Sequence, residues 1–192
     1  MVGRASESSA MTPEPGLASL TMRVFDGRLH VHYGQAYVFS GDDGDTGEME
    51  ACFRGQTNGL LGAGQAGMLF LLTGLHTGFV DLTVDVDEHE PPLDESREEC
   101  VEVSFAPAAP EVRVVDWDRG LVCELALPGL SYRVRYAARG MDAGHAEDTI
   151  IGDEEPVDSY RLWFWPAPHA PDRVLEQTSG AAAYWHNWAQ NL

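Results

Sequence analysis

Lysine is absent from this sequence, so its twelve side chains that are cationic at every working pH are all arginine. Against them stand 31 aspartates and glutamates, which leaves a formal net charge of −19 on 192 residues. A balance this acidic argues against direct binding to nucleic acid or to an anionic membrane, and favours cations and basic proteins as partners. Cysteine is scarce as well. Cys52, Cys100 and Cys123 make an odd number with no C-x-x-C spacing, which excludes a disulfide framework and a common zinc motif. Buried thiols in a reducing, cytoplasmic compartment are the expectation. The start of the chain has no apolar core of the kind a secretory signal needs. Residues 55–80 carry no Asp, Glu, Lys or Arg, but their dense apolar part is only Met68 to Leu72. A membrane helix needs about 20 such residues, so this run reads as a buried strand.

Familiar catalytic signatures are missing too. G-x-S-x-G, the Walker loop and H-E-x-x-H do not occur, and nothing brings Ser, His and Asp together along the chain. No catalytic residue and no cofactor is assigned from the sequence.

What is present is strand patterning. Glu111 to Tyr136 reads as three consecutive strands joined by two tight turns, Asp118-Arg119-Gly120 and Pro128-Gly129. Val112 and Val114, then Leu121, Cys123 and Leu125, then Tyr132, Val134 and Tyr136 alternate with other residues at period two. Earlier, Met22 to Phe25 and Leu29 to Tyr33 flank Asp26-Gly27, a hairpin dipeptide. Gln35 to Ser40 continues the pattern, and a short helix is expected over Met49 to Thr57. Gly67–Leu72, Phe79–Val86, Val101–Phe105 and Tyr160–Trp165 supply further strands. In Phe79–Val86, Leu82, Val84 and Val86 point inward, while Asp81, Thr83 and Asp85, with Asp87 just beyond, point out. Gly140–Pro156 reads as a long polar loop. In the tail, Val174, Thr178, Ala181, Trp185, Trp188 and Leu192 recur at helical steps. The expected fold is all-β: an antiparallel β-sandwich of about nine strands with a C-terminal α-helix packed on it. Residues 1–20 are expected as a disordered extension, 21–170 as the sandwich and 171–192 as a helix of the same domain. Trp163 and Trp165 share a strand face that this helix would cover.

The acids are clustered. Residues 42–50 hold five, 81–102 hold ten and 142–158 hold seven, so 22 of the 31 lie in three segments. Loops gather at the ends of a sandwich, where such segments form an acidic surface able to steer a basic partner. The candidate contact residues are Asp42, Asp43, Asp85, Asp87, Glu88, Glu90, Asp153 and Glu154. A non-enzymatic protein that inhibits a basic partner, with acidic loops in place of nucleic-acid phosphates, is the leading reading. The same acids also fit an acidic scaffold domain without a specific partner, since solvated loops commonly carry charge. Asp81, Asp85 and Asp87 offer oxygen ligands, but the calcium-loop pattern D-x-D-x-D-G is missing. A metal-dependent, cupin-like enzyme or binder would use His30 and His32, whose alternate spacing places both on one strand face. Arg133, Arg135 and Arg161 share outward positions and are expected to pair with acids such as Glu102 or Glu124.

The order of pieces resembles the ComJ family of small acidic bacterial proteins that inhibit the competence nuclease NucA. The residues that carry it are His32-Tyr33-Gly34-Gln35-Ala36-Tyr37-Val38-Phe39, an acidic segment, a Gly-rich link and a buried strand. Val101–Phe105, Leu121–Leu127, Pro128 to Val134 and Tyr160–Pro168 then follow. The resemblance spans about Leu29 to Pro168 and implies a nuclease as partner. It transfers no individual site residue.

Overall fold

The computed structural model describes residues 21–41, 48–129, 131–152 and 154–192. The expected extension at 1–20 lies outside them. Among the described residues, eleven strands form two sheets. The first contains β1 (Met22–Val31), β5 (Gly78–Val86), β6 (Glu99–Phe105), β9 (Tyr132–Arg139), β10 (Ser159–Pro166) and β11 (Arg173–Glu176). Its order is β1-β5-β10-β9-β6-β11. The second contains β2 (Gln35–Ser40), β3 (Leu61–Gly62), β4 (Met68–Leu72), β7 (Glu111–Val115) and β8 (Leu121–Ala126), in the order β3-β4-β2-β7-β8. Only β5 and β10 pair in parallel; the other strand pairs are antiparallel.

Alternation decides the core. Val80, Leu82 and Val84 of β5, Val101 and Val103 of β6, Val134 and Tyr136 of β9, and Leu162 and Phe164 of β10 face Val38, Leu69, Leu71, Val112 and Val114 of the second sheet. Each such side chain contributes about 1.5–3 kcal/mol on full burial.

Both outer faces are covered as well. On the second sheet, Tyr37, Phe39, Phe70 and Leu72 lie beneath Cys52 and Phe53 of α1 (Met49–Phe53) and Ala189 of α3 (Gly180–Ala189), with Trp185 and Trp188 at the margin. The C-terminal helix therefore sits over the second sheet, and Trp163 and Trp165 on the first pack instead with Cys100, Ala137 and Leu175. The tail itself is shorter in helix than its spacing suggests. Val174 belongs to β11, paired with β6, and Thr178 precedes the helix, which starts where Ser179 Oγ accepts from Ala182 N at 3.1 Å.

Three other expectations change. Asp26-Gly27 makes no turn: β1 runs through it, paired with β5 along its length, with an irregularity between Arg23 and Phe25. The reversal comes at Tyr33-Gly34, with φ of 57° and 63°, the positive pair that a tight hairpin turn requires. That turn sends the chain from one sheet to the other. Second, β7 and β8 pair in the second sheet, but after Pro128-Gly129 β9 crosses to the first, so the three do not form one meander. Third, the 140–156 loop contains α2 (Met141–Glu147).

The outward positions of the first sheet carry charge, and that charge is buried. Asp85, central among β1, β5 and β10, receives Arg23 Nε at 3.0 Å from one neighbour strand and Arg161 Nε at 2.7 Å from the other. Glu102, central among β9, β6 and β11, receives Arg133 Nε at 3.2 Å and Arg135 Nε at 2.9 Å from one side and Arg173 from the other. Asp85 and Glu102 are both 0% exposed. Two carboxylates thus join all six strands in two sets of three. The expected pairing of Arg133 and Arg135 with Glu102 is present, and burial makes it more consequential than an exposed pair. The arginines also hold the cover. Arg135 donates to Pro91 O at 2.7 Å and Glu90 at 3.0 Å, and Arg133 to Ala170 O at 2.9 Å.

Burial pushes the Glu102 carboxyl up, but hydrogen bonds from Arg173, Arg135 and Arg133 outweigh it and hold the group below its ordinary value of 4.5. A depressed value stabilises the fold at neutral pH, and that contribution is lost as pH falls through the folded-state value. Glu102→Gln, which removes the buried carboxylate that Arg133, Arg135 and Arg173 share, is expected to cost about 3–5 kcal/mol in urea unfolding at pH 7. Its stability should also fall less steeply on acidification than that of the unaltered protein, as followed by circular dichroism.

Candidate functional site

Of the acids expected at a binding surface, the structure places Glu88, Glu90 and Glu154 in the open, and Glu90 accepts from Arg135. Asp85 lies between two arginines, and Asp87, 2% exposed, accepts a hydrogen bond from the Thr21 hydroxyl. Both lie on the side the alternation indicates, yet neighbouring chain covers them. Asp42, Asp43 and Asp153 lie outside the described residues. The described acids do not meet in one loop cluster. Asp87–Glu90 follow the end of β5 that pairs with Met22, whereas Glu154 precedes Ser159, which pairs with Asp81 towards the other end.

The two histidines separate. His30 is exposed, its ring edge-on to Phe79 at 5.2 Å. His32 packs against Tyr33 at 4.2 Å and Trp117 at 4.8 Å, and its Nδ1 lies 2.8 Å from Thr77 Oγ1. His76 Nδ1 meets the same hydroxyl at 2.8 Å. One hydroxyl has one proton, so with both rings neutral it donates to one imidazole and accepts from the other, which gives opposite tautomers. Among the described residues, no three His, Cys, Asp or Glu side chains gather as a metal site would require, so the cupin-like arrangement is not assembled. Burial pushes the thiols of Cys52, Cys100 and Cys123 up to about 11, 12 and 11, which keeps them protonated and unreactive.

Charge is unevenly distributed across the molecule. Arg97, Arg133, Arg135 and Arg161, buried or half-buried, pair with Asp94, Glu102, Glu90 and Asp85 on the outer face of the first sheet, and the exposed Arg23 and Arg173 reach in to Asp85 and Glu102 from its edge strands. Elsewhere the exposed arginines among the described residues are Arg28, Arg54, Arg119 and Arg139. Exposed carboxylates run from Glu48 and Glu50 through Glu111, Asp118 and Glu124 to Asp142, Glu147, Asp148 and Glu154. The outward field is therefore strongly negative away from that face.

At the end of the sandwich marked by the Tyr33-Gly34 turn, four segments enclose a cleft of about 460 Å³. They are that turn, the β4–β5 loop (Thr73, Gly74, His76), α2 with Asp148, and the start of α3 with Tyr184 and Trp185. Glycine permits the assembly. A Cβ on Gly74 would lie 2.2 Å from Met141 O, and one on Gly144 would lie 2.5 Å from Asp158 Oδ2 and 2.7 Å from Leu75 N. Gly59 lies so close to α3 that a Cβ there would be 2.0 Å from Trp185 O, and Gly59 N donates to His186 Nδ1 at 2.9 Å. Burial holds His186 below its ordinary value, against the pull of Asp172, so the ring is a neutral acceptor at Nδ1.

Polar bonds brace the cleft from behind. Asp158 Oδ2 accepts from Leu75 N at 3.0 Å and Tyr160 OH at 2.7 Å, and Gly74 N donates to Tyr160 OH at 2.6 Å. Burial raises the Asp158 carboxyl above its ordinary value despite these bonds. Asp142 accepts from Gly180 N at 3.1 Å and Ala181 N at 2.9 Å, which ties α2 to the start of α3 and lowers the Asp142 carboxyl. The cleft is not legible in the sequence because its four parts are scattered between Tyr33 and Trp185. The only hint was the glycine-rich stretch around Gly59 and Gly74.

No family model and no curated protein matches the chain. Among solved structures, it superposes on ComJ from Bacillus subtilis, described as an inhibitor of the DNA-degrading activity of NucA, with a TM-score of 0.54 and 13% identity. The match covers 77% of this chain and 99% of that one. The product of crocagin biosynthetic gene J superposes with a TM-score of 0.44 and 14% identity, over 77% of this chain and 98% of that one. The ComJ-like fold indicated by strand order is thus present in three dimensions.

The close approaches behind the cleft carry a measurable cost. Gly144→Ala is expected to lose about 1–3 kcal/mol in chemical denaturation. Ala143→Ser, at an exposed position one residue earlier, should stay within about 0.5 kcal/mol.

Proposed function

We propose that this chain is a non-enzymatic binding protein whose acidic exterior engages and neutralises a basic protein, with a nuclease as the partner class. The observation that carries the reading is the balance of exposed charge: six arginines are engaged in ion pairs with carboxylates of the first sheet, while exposed carboxylates outnumber the exposed arginines elsewhere among the described residues. A surface of this kind attracts a protein built to hold phosphates, and places carboxylates where that protein expects phosphate oxygens. The fold shared with ComJ, itself described as an inhibitor of NucA, supports the same direction. Glu88, Glu90 and Glu154 are the exposed members of the contact set, joined by Asp42, Asp43 and Asp153 of the same acidic segments. Asp85 and Asp87 have a structural role, being buried.

The test begins with capture from host lysate at low salt, elution by a salt step, and an activity assay on what is released. A basic nuclease, eluted by salt and inhibited at stoichiometric ratio, is the expected result. Capture of nothing basic, or of a nuclease that remains fully active in the complex, would sink the reading. With that partner in hand, the combined change Glu88→Lys and Glu154→Lys, at two exposed members of the contact set, should slow association about tenfold or more at low ionic strength. The difference should close as added salt screens the charges, in stopped-flow or surface-based kinetics.

A further inference from the structure

The cleft at the end of the sandwich has a composition that selects its occupant. Tyr33 and Tyr184 are 54% and 63% exposed and line it from two different segments, and Trp185 lies edge-on to Tyr184. Asp142 and Asp148 supply carboxylates, His76 and His145 are the other titratable side chains of the lining, and no arginine lines it. An anionic ligand would meet two like charges there. A neutral apolar ligand would cover those carboxylates without offering them a donor, at a cost in desolvation. A cation gains from both parts of the lining, since ring faces attract positive charge and carboxylates accept its hydrogen bonds. Among cationic side chains, a planar and weakly hydrated guanidinium suits aromatic walls better than a compact, strongly hydrated ammonium.

The backbone holds these groups in place at some expense. Tyr33 and Asp148 are two of the three described non-glycine residues with positive φ, both at 57°, and both line the cleft. Such conformations are sparsely populated and recur where a side chain must be presented in a set direction. Asp142 is fixed by the amides of Gly180 and Ala181, so one carboxylate is anchored while that of Asp148, bonded to the adjacent Thr149 hydroxyl, stays exposed. The volume of about 460 Å³ exceeds what a flat contact patch offers and admits a whole side chain.

We infer that this cleft is the socket for an arginine side chain of the basic partner, gripped between Tyr33 and Tyr184 and paired with Asp148. The inference rests on the proposed function for the origin of that arginine, but its chemistry is testable without the partner. The probe is N-acetyl-arginine amide, with N-acetyl-citrulline amide as its neutral counterpart, titrated into the ¹⁵N-labelled full chain. Shifts confined to the amides around Gly34, Gly74 and Gly180, seen with the arginine probe and absent with citrulline, are the expected result. Tyr184→Ala, an exposed position whose loss leaves the fold intact, should weaken the probe about two- to thirtyfold. Asp148→Asn, which keeps shape and removes charge, should weaken it as well. No shift at these amides, equal shifts with citrulline, or unchanged affinity in both variants would overturn the socket. Those results would leave salt-dependent capture of a basic protein standing, so the two ideas fail separately.

Discussion

Burial of two carboxylates, Asp85 and Glu102, is the constraint on which the first sheet depends. Each sits on a strand flanked by two others and takes guanidinium groups from both sides. Removing charges from water is costly, and only close, multiple hydrogen bonds compensate it. The sheet therefore tolerates no slippage there: a shift by one residue would turn Asp85 and Glu102 into the hydrophobic core and face valines outward. Pairing of this kind specifies register more than it adds stability.

The same constraint explains why arginine is the cation on that face. Arg161 stacks over Trp163 with 3.9 Å to the ring centroid, and Arg135 lies over Trp165 at 5.2 Å. A guanidinium donates in its own plane to carboxylates and backbone carbonyls while its face rests on an indole. Lysine has no such geometry. By engaging six arginines in such pairs, the fold leaves an exposed surface elsewhere in which carboxylates predominate. Structure and surface electrostatics thus follow from one choice of residue.

Much of this was legible in the chain. β4 was legible as a short, wholly apolar run, and strand patterning located β2, β5, β6, β7, β8, β9 and β10, because one face of each packs in a continuous core. It failed where the outer face was buried as well: Asp85, Arg133 and Arg135 look solvent-facing by pattern, and only the cover formed by residues 88–98 and 167–176 removes them from water. Asp26-Gly27 carried a turn signal that pairing with β5 from Met22 to Val31 overrode. Val174 and Thr178 matched a helical period by coincidence, since an unpaired edge on β6 captured the segment as a strand. The cleft was invisible, because its walls meet only after α2, α3 and two loops have packed through Gly59, Gly74 and Gly144.

The place of β10 in the sheet has a consequence for how the protein is made. Residues 159–166 follow β1, β5, β6 and β9 in the chain, yet they occupy the middle of the first sheet between β5 and β9. During synthesis the pair β1–β5 and the pair β6–β9 can form early, but each must wait with one long apolar edge open. Asp85 in that interval has Arg23 and lacks Arg161. The nascent chain therefore carries two unsealed strand edges until residues 159–166 have left the ribosome, an interval that favours edge-to-edge aggregation. A chain so rich in acid meets that exposure with charge repulsion between neighbouring copies, which makes its composition useful before it has folded at all.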